Sequence, residues 1–327
     1  MHKSKTKFRL LLDKSGNTRV FLSVIVLIFA VALIFLVRFL IYSDGEVVDF
    51  SDVATSAQVT GDSTPVLRIA VAAMISPKNT KKYYEELLQL IAAKVGRRVE
   101  FSQRKTYAEV NEMLERQEVD LAFVCSGPYV AGHEKFNMEI LAVPVVQGQT
   151  VYYSYIIANK SSLIESFADL KGKKFAFTDP HSNTGSTVPR YMLSRMDQTP
   201  ESYFAEFFYS YSHDNSIKAV ADGLADGAAV DHLIWEFMNI VDPEHTSKTK
   251  IIGKSDPYGI PPVVVHPALA TELKSKLRDT FFSIHMDEEA SVLLGKLHID
   301  RFESGADEMY DSVREMGEWL KQFKDIE

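Results

Sequence analysis

Val20 to Val37, VFLSVIVLIFAVALIFLV, is an unbroken apolar run of 18 residues. That is about the length needed to cross a bilayer, and it leaves no polar face with which a buried core helix could meet solvent. Arg38 interrupts it, and the apolar character resumes from Phe39 to Tyr42. An arginine at the end of a span can snorkel to the headgroups, and a tyrosine suits the interface. The segment 20–42 is therefore expected to be a transmembrane helix. A cleaved signal peptide is the rival reading, but such peptides have shorter apolar regions with small-residue cleavage sites close behind. Here the first small-residue cluster, Ala54 to Ala57, lies well beyond the span.

Charge divides at the same place. The overall formal charge is −8, yet residues 1–19 set six basic side chains, Lys3, Lys5, Lys7, Arg9, Lys14 and Arg19, against Asp13. The tail thus carries +5 and the remainder −13. Basic flanks stay in the cytoplasm, so the acidic body is expected outside it. In a bacterium this means a single-pass inner-membrane protein with its main domain in the periplasm. An acidic body also excludes a broad nucleic-acid-binding face. Residues 43–64, rich in Ser, Thr, Asp and Gly without periodicity, read as a flexible tether.

From Val66 the pattern becomes α/β. Short apolar runs (VLRIAVA, VEFSQ, DLAFVC, ILAVPVV, VYYSYIIA, KKFAFT, FFYSY, GAAV) have helical periodicity between several of them. This argues for a largely parallel sheet covered by helices. The length of 65–327 exceeds one sheet of ordinary size, so two lobes are expected. Lobe 1 is placed at about 65–149 and 253–327, and lobe 2 at about 150–252. Gln147–Tyr153 and Gly253–Pro262 have the composition of crossings between them. Met309, Val313, Met316 and Leu320, at helical spacing, are expected to pack the last helix on lobe 1.

The segment FTDPHSNTGSTVPRYML, Phe177 to Leu193, takes a strand through a turn into a helix. A helix start offers free N–H groups and a positive dipole end, the elements of an anion site without a cation. Ser182, Asn183 and Thr184 can add donors, and Gly185 permits close backbone approach. A capped helix start whose hydroxyls serve their own backbone is the plainer alternative. His213 and Asp231 both stand at strand-to-helix switches, where ligand crevices of open α/β sheets lie. The nine histidines show no metal-ligand spacing, and no nucleophile–base–orienter set is present, so neither metal, cofactor nor catalysis is expected. Cys125, ending an apolar strand, reads as a buried thiol.

The order DLAFVCSGPYV, TDPHSNTG, YSHDN…KAVADGLADGAAVD resembles the phosphonate, phosphite and phosphate substrate-binding proteins of ABC transporters, from Val66 to the C-terminal helices. The resemblance implies the type 2 periplasmic-binding-protein fold, two α/β lobes joined by hinge strands and closing on a small anionic ligand. It implies a protein that binds rather than transforms, with an ABC permease as partner. A membrane sensor kinase is the alternative partner, if the anchored chain reports occupancy instead. It further implies that Ser182, Asn183, Thr184 and Gly185 hold the oxyanion, although a hydroxyl is usual where Asn183 stands. His213 matches the family's histidine, and Tyr84 and Tyr129 look like its ligand-side aromatics, with Tyr83 replacing Tyr84 if the register slips. Asp231 lies where ligand-side polar groups differ among members. A protonated His213 would strengthen anion binding as pH falls.

Overall fold

The computed structural model describes residues 64–324. The apolar run at 20–42, the basic tail and nearly all of the tether lie outside the described residues. Among the described residues, no helix is long and apolar enough to cross a membrane.

Two sheets form. The first holds six strands: β1 (Val66–Val71), β2 (Arg98–Gln103), β3 (Leu121–Phe123), β4 (Glu139–Val145), β12 (Val263–Val265) and β13 (Arg301–Glu303), in the order β13-β4-β12-β3-β1-β2. The second holds β6 (Ser154–Asn159), β7 (Lys174–Phe177), β8 (Glu206–Tyr209), β9 (Gly227–Asp231) and β10 (Thr249–Lys254), in the order β10-β6-β9-β7-β8. Between them run β5 (Val151–Tyr152) and β11 (Tyr258–Gly259), which pair antiparallel with Tyr258 opposite Tyr152. The chain thus goes from one sheet to the other along β5 and returns along β11.

Both sheets are mixed, where a largely parallel one was expected. Strands joined through a covering helix are parallel, as in β1 with β2 and β7 with β8. Those entered from the crossings, β6 and β12, run antiparallel to their neighbours. A chain that enters a lobe directly from the other lobe has no helix to turn its direction, and antiparallel pairing is the result.

Period-two alternation gives the first sheet two cores. Leu67, Ile69, Val71, Leu121 and Phe123 pack under the helices Pro77–Lys94 and Thr271–Ser283. Ala70, Ala122 and Val124 face the other way, toward the helices Tyr107–Glu115 and Ser126–Phe136. The small alanines let these helices approach closely, and it is their N-termini that meet the second lobe. Helix Tyr107–Glu115 is fixed by a capping box between Thr106 and Glu109.

The last helix, Asp311–Lys324, places Val313 and Met316 in the first lobe's core. It also reaches the second lobe. The Trp319 Nε1–H donates to Ser194 Oγ at 2.9 Å, and its ring meets Tyr191 edge-on.

Candidate functional site between the lobes

The loop after β7 is built on Asp179, whose fully buried carboxylate accepts from His181 N–H at 2.8 Å and, across the lobes, from Tyr107 N–H at 3.1 Å. Ser182 then caps the helix start, its Oγ accepting from Gly185 N–H at 3.0 Å. Residues Asn183–Thr187 form a π-turn before the α-helix Val188–Ser194. Such turns widen the first turn of a helix and recur at functional sites. Gly185 is required by packing: a Cβ there would stand 2.5 Å from Thr178 Cβ and Oγ1. The plainer reading of this segment therefore holds for Ser182 alone. Asn183 and Thr184 are equally buried but do not serve the cap.

Four buried polar atoms in this region lack a hydrogen-bond partner: Thr184 Oγ1, Asn183 Oδ1, His213 Nε2 and Tyr107 Oη. Buried polar groups are nearly always satisfied, so such a group is open to a bound water or ligand. They share one neighbourhood. Asn183 Nδ2 donates to Tyr152 Oη at 3.2 Å, and Tyr152 Oη lies 3.5 Å from Cys125 Sγ. Tyr107 stands by Cys125, Asp179 and Ser182; burial above all pushes its hydroxyl well above the ordinary phenol value. Thr178 Oγ1, against which Gly185 packs, is 3.1 Å from His213 Nδ1.

His213 begins the helix His213–Ala221 and is fully buried. Its Nδ1 accepts from the backbone N–H of Asp231 at 3.0 Å. A neutral imidazole that accepts at Nδ1 carries its hydrogen on Nε2, so the unpartnered nitrogen is a donor. Burial lowers the imidazole to about 3, against the opposing effect of Asp214 and Asp179. Charging of His213 as pH falls, the condition under which it would strengthen anion binding, is opposed by this burial, because desolvation outweighs both nearby carboxylates.

Asp231 caps the helix His232–Val241, its Oδ1 accepting from Leu233 N–H at 2.8 Å. Burial raises its carboxyl to about 7 despite the favourable N–H groups of Leu233 and Ile234. Tyr84 is near it: burial, then the Asp231 charge, pushes that phenol up to about 12. Tyr84 packs edge-on to Phe123 at 6.0 Å and joins Asp231 in lining a cavity of about 510 Å³ between the lobes. Tyr83 instead stacks edge-on against Phe237 at 4.9 Å.

Tyr129 does not join the group. One helical turn beyond Cys125, its hydroxyl donates to Asp307 Oδ1 at 2.8 Å and its ring lies 4.5 Å from Tyr310. The tyrosines that stand beside the loop are Tyr107 and Tyr152. Tyr107 follows a strand and opens a helix, the same criterion that picks out His213 and Asp231, and that signal was present in the sequence. Tyr152 carried a weaker one, lying in a crossing segment.

The lobes touch around this group. His213 N–H donates to Met74 O at 3.0 Å, and Asp214 accepts from Ser76 N–H at 2.9 Å and Asn79 Nδ2 at 3.0 Å. A Cβ on Gly127 would run into the carbonyl oxygen of His181. The atoms without a partner that gather here belong to hydroxyl, imidazole and amide groups, and none of the four carries a formal positive charge.

Known proteins share this architecture. A binding component of an ABC phosphonate transporter from Pseudomonas aeruginosa superposes with a TM-score of 0.76 at 27% identity, over 80% of this chain and 88% of that one. PhnD1 of Prochlorococcus marinus, solved with methylphosphonate, gives 0.72 at 18% identity over 78% and 98%, a likeness of fold. In sequence, the phosphonates-binding periplasmic protein of Escherichia coli K12 is 25% identical across 76% of this chain and 75% of its own length. The phosphate-import protein PhnD of Mycolicibacterium smegmatis is 29% identical across 71% and 75%. Residues 69–310 match the family described as the phosphonate periplasmic substrate-binding protein of ABC transporters, and the chain belongs to that family.

Proposed function

We propose that this chain captures a small phosphorus oxyanion, a phosphonate, phosphite or phosphate, between its lobes and presents it to an ABC permease while tethered to the inner membrane by residues 20–42. The observation that carries the reading is the set of unpartnered buried atoms on Tyr107, Asn183, Thr184 and His213. Ser182 and Gly185 shape the loop that holds two of them, and Asp231 fixes the histidine. With −13 on everything beyond the tail, long-range attraction for anions is absent, and short directed hydrogen bonds must supply the affinity.

The set is not made of donors alone. Tyr107, Thr184 and His213 donate, whereas Asn183 Oδ1 accepts. An acceptor in the wall favours an oxyanion that still bears a proton, as monoanionic phosphonates, phosphite and phosphate do. Sulfate, fully ionised, leaves Asn183 Oδ1 facing a bare oxygen, a mismatch that buried sites reject strongly.

The test is a thermal-shift and calorimetric screen of the full chain against phosphate, phosphite, methylphosphonate, ethylphosphonate, sulfate and acetate. A phosphorus ligand is expected to stabilise the protein well above the sulfate response. No phosphorus response at millimolar concentration, or an equal one with sulfate, overturns the reading. For the tether, deleting residues 1–42 behind an exported leader should move the protein from the membrane fraction to the soluble periplasm.

A further inference from the structure

The crossing strands have different neighbours on their two faces. Val151 and Tyr153 line the cavity between the lobes, whereas Tyr152, between them in sequence, belongs to the first lobe's core with Val313 and Met316 of the last helix. Tyr258, opposite Tyr152 on β11, shares that core and donates its hydroxyl hydrogen to Met316 Sδ at 3.4 Å. The Tyr310 hydroxyl donates to Ile260 O at 2.8 Å just beyond β11. The last helix, Asp311–Lys324, therefore lies behind the crossing, on the side away from the cavity.

Part of the second lobe reaches behind the crossing as well. Helix Val188–Ser194, which continues the oxyanion loop, places Val188 in the first lobe's core, with Tyr191 and Met192 packed against it. Trp319 stands at the end of that helix. Its ring centroid is 6.1 Å from that of Tyr191, the Arg195 guanidinium lies 5.0 Å over it, and its Nε1–H donates to Ser194 Oγ at 2.9 Å. On the cavity side the lobes meet through different residues: His213 with Met74, Asp214 with Ser76, and Phe237 with Tyr83. The two sets of interlobe contacts thus bracket the crossing.

We infer that Trp319 is a wedge behind the hinge, a positioning residue whose bulk limits how far the two lobes open. A rotation about the crossing that parts His213 from Met74 and Phe237 from Tyr83 drives helix Val188–Ser194 toward the last helix. There the indole stands against Tyr191 and Ser194, beside the buried Val188, and close-packed side chains yield little to compression. The obstacle is the ring and not its hydrogen bond, because the ring fills the space wherever its N–H points. A wedge of this kind raises the closed population before any ligand arrives, and affinity falls by the fraction of competent protein that is lost without it. The inference rests on the two-lobed fold, and only its affinity arm rests on the proposed ligand.

The experiment measures the distance between spin labels on Gln89→Cys and Asn239→Cys in the full chain, with and without methylphosphonate. Both positions are exposed, on the helices Pro77–Lys94 and His232–Val241 that meet through Tyr83 and Phe237. In Trp319→Ala the unliganded distance is expected to lengthen, to return to the parent's on saturation with methylphosphonate, and to be accompanied by a loss of affinity of about fivefold or more. Trp319→Phe, which keeps a ring and lacks the N–H, should hold the parent's distance and an affinity within about twofold. A residue that only stabilises the fold would leave the distance unchanged. An unchanged or shorter unliganded distance in Trp319→Ala overturns the inference, as does equal lengthening in Trp319→Phe. If Trp319→Ala does not fold, Trp319→Leu takes its place with the same outcomes. The unliganded distances need no phosphorus ligand, so failure of the proposed function is distinguishable from failure of the wedge.

Discussion

The backbone N–H of Asp231 donates to Nδ1 of His213 at 3.0 Å, and this bond places the imidazole hydrogen on Nε2. One element end thereby sets the tautomer of a residue on another. Because the bond is made by the main chain, it persists whatever side chain occupies position 231. Burial, which lowers His213 to about 3, keeps it a neutral donor across the second, near-neutral ionisation of a phosphonate.

His213→Ala should weaken a phosphorus ligand by about 1.5–3 kcal/mol, the worth of a hydrogen bond to a charged group, or roughly ten- to a hundredfold in Kd. His213→Gln, which can still present an N–H, should recover part of this. Between pH 7 and 5 no affinity gain should trace to this residue. Calorimetry across that range checks it, and a gain on acidification that disappears in His213→Gln would contradict the neutral assignment.

Tyr107→Phe and Thr184→Val each remove a hydroxyl that has no partner in the protein. Deleting an unsatisfied buried polar group relieves its desolvation cost, so unfolding free energy without ligand should hold or rise by about 1 kcal/mol. Ligand affinity should fall about tenfold in both. Stability and binding moving in opposite directions is the signature of a ligand-facing group; a purely structural hydroxyl would lose stability. Denaturant melts paired with calorimetry separate the two.

Gly185→Ala tests the loop's seat. The added methyl would meet Thr178, itself bonded to His213, at a distance no Cβ tolerates. Overpacking of this kind typically costs 1–3 kcal/mol. The substitution should lower stability by about that amount and weaken binding through displacement of both Thr184 and His213, read by thermal melts and by calorimetry on the fraction that remains folded.

Asp214 joins the lobes through Ser76 and Asn79 without touching the orphaned atoms. In Asp214→Ala the lobes keep their separate cores, so the change in unfolding free energy should be small. The open form should gain population, raising the radius of gyration of the unliganded protein in small-angle scattering and lowering affinity by the fraction of closed protein lost. An unchanged scattering profile with unchanged affinity would sink the closure role.

Much of this was legible in the sequence because strand-to-helix switches are local. Thr178 to Gly185, His213 and Asp231 each follow an apolar run and precede helical periodicity, and all sit at the lobe interface. The same rule selects Tyr107, whose flanking Thr106 and Glu109 even announce the helix start. Tyr129 misled because its distance from β3 fits a site residue, while the helical turn that carries it to Asp307 depends on a partner 178 positions away. Tyr84 lines the interlobe cavity beside Asp231 and Phe123 rather than standing by the loop after β7, because which face of a covering helix meets the cavity is set by packing, not by periodicity. The mixed strand directions were hidden too, since the pairing of β5 with β11 joins segments distant in the chain.

Asp231 and His213 should leave opposing marks on the pH dependence of stability. Burial raises the Asp231 carboxyl from 3.8 to about 7, so the folded protein binds its proton more readily than the unfolded chain does. Stability from this group is full below about pH 4 and is lost as pH rises toward 7. His213 is lowered from 6.5 to about 3, so the unfolded chain takes the proton first on acidification. Its contribution is full above about pH 6.5 and is lost as pH falls toward 3. Between pH 4 and 6.5 the two slopes oppose each other within the parent protein. Asp231→Asn should therefore make stability rise more steeply with pH than in the parent, and His213→Gln should tilt it the other way, each by up to a few kcal/mol across the window. Urea melts of the three proteins at half-unit pH steps give the difference curves, and two curves of the same sign would show that one of the two burial shifts is misassigned.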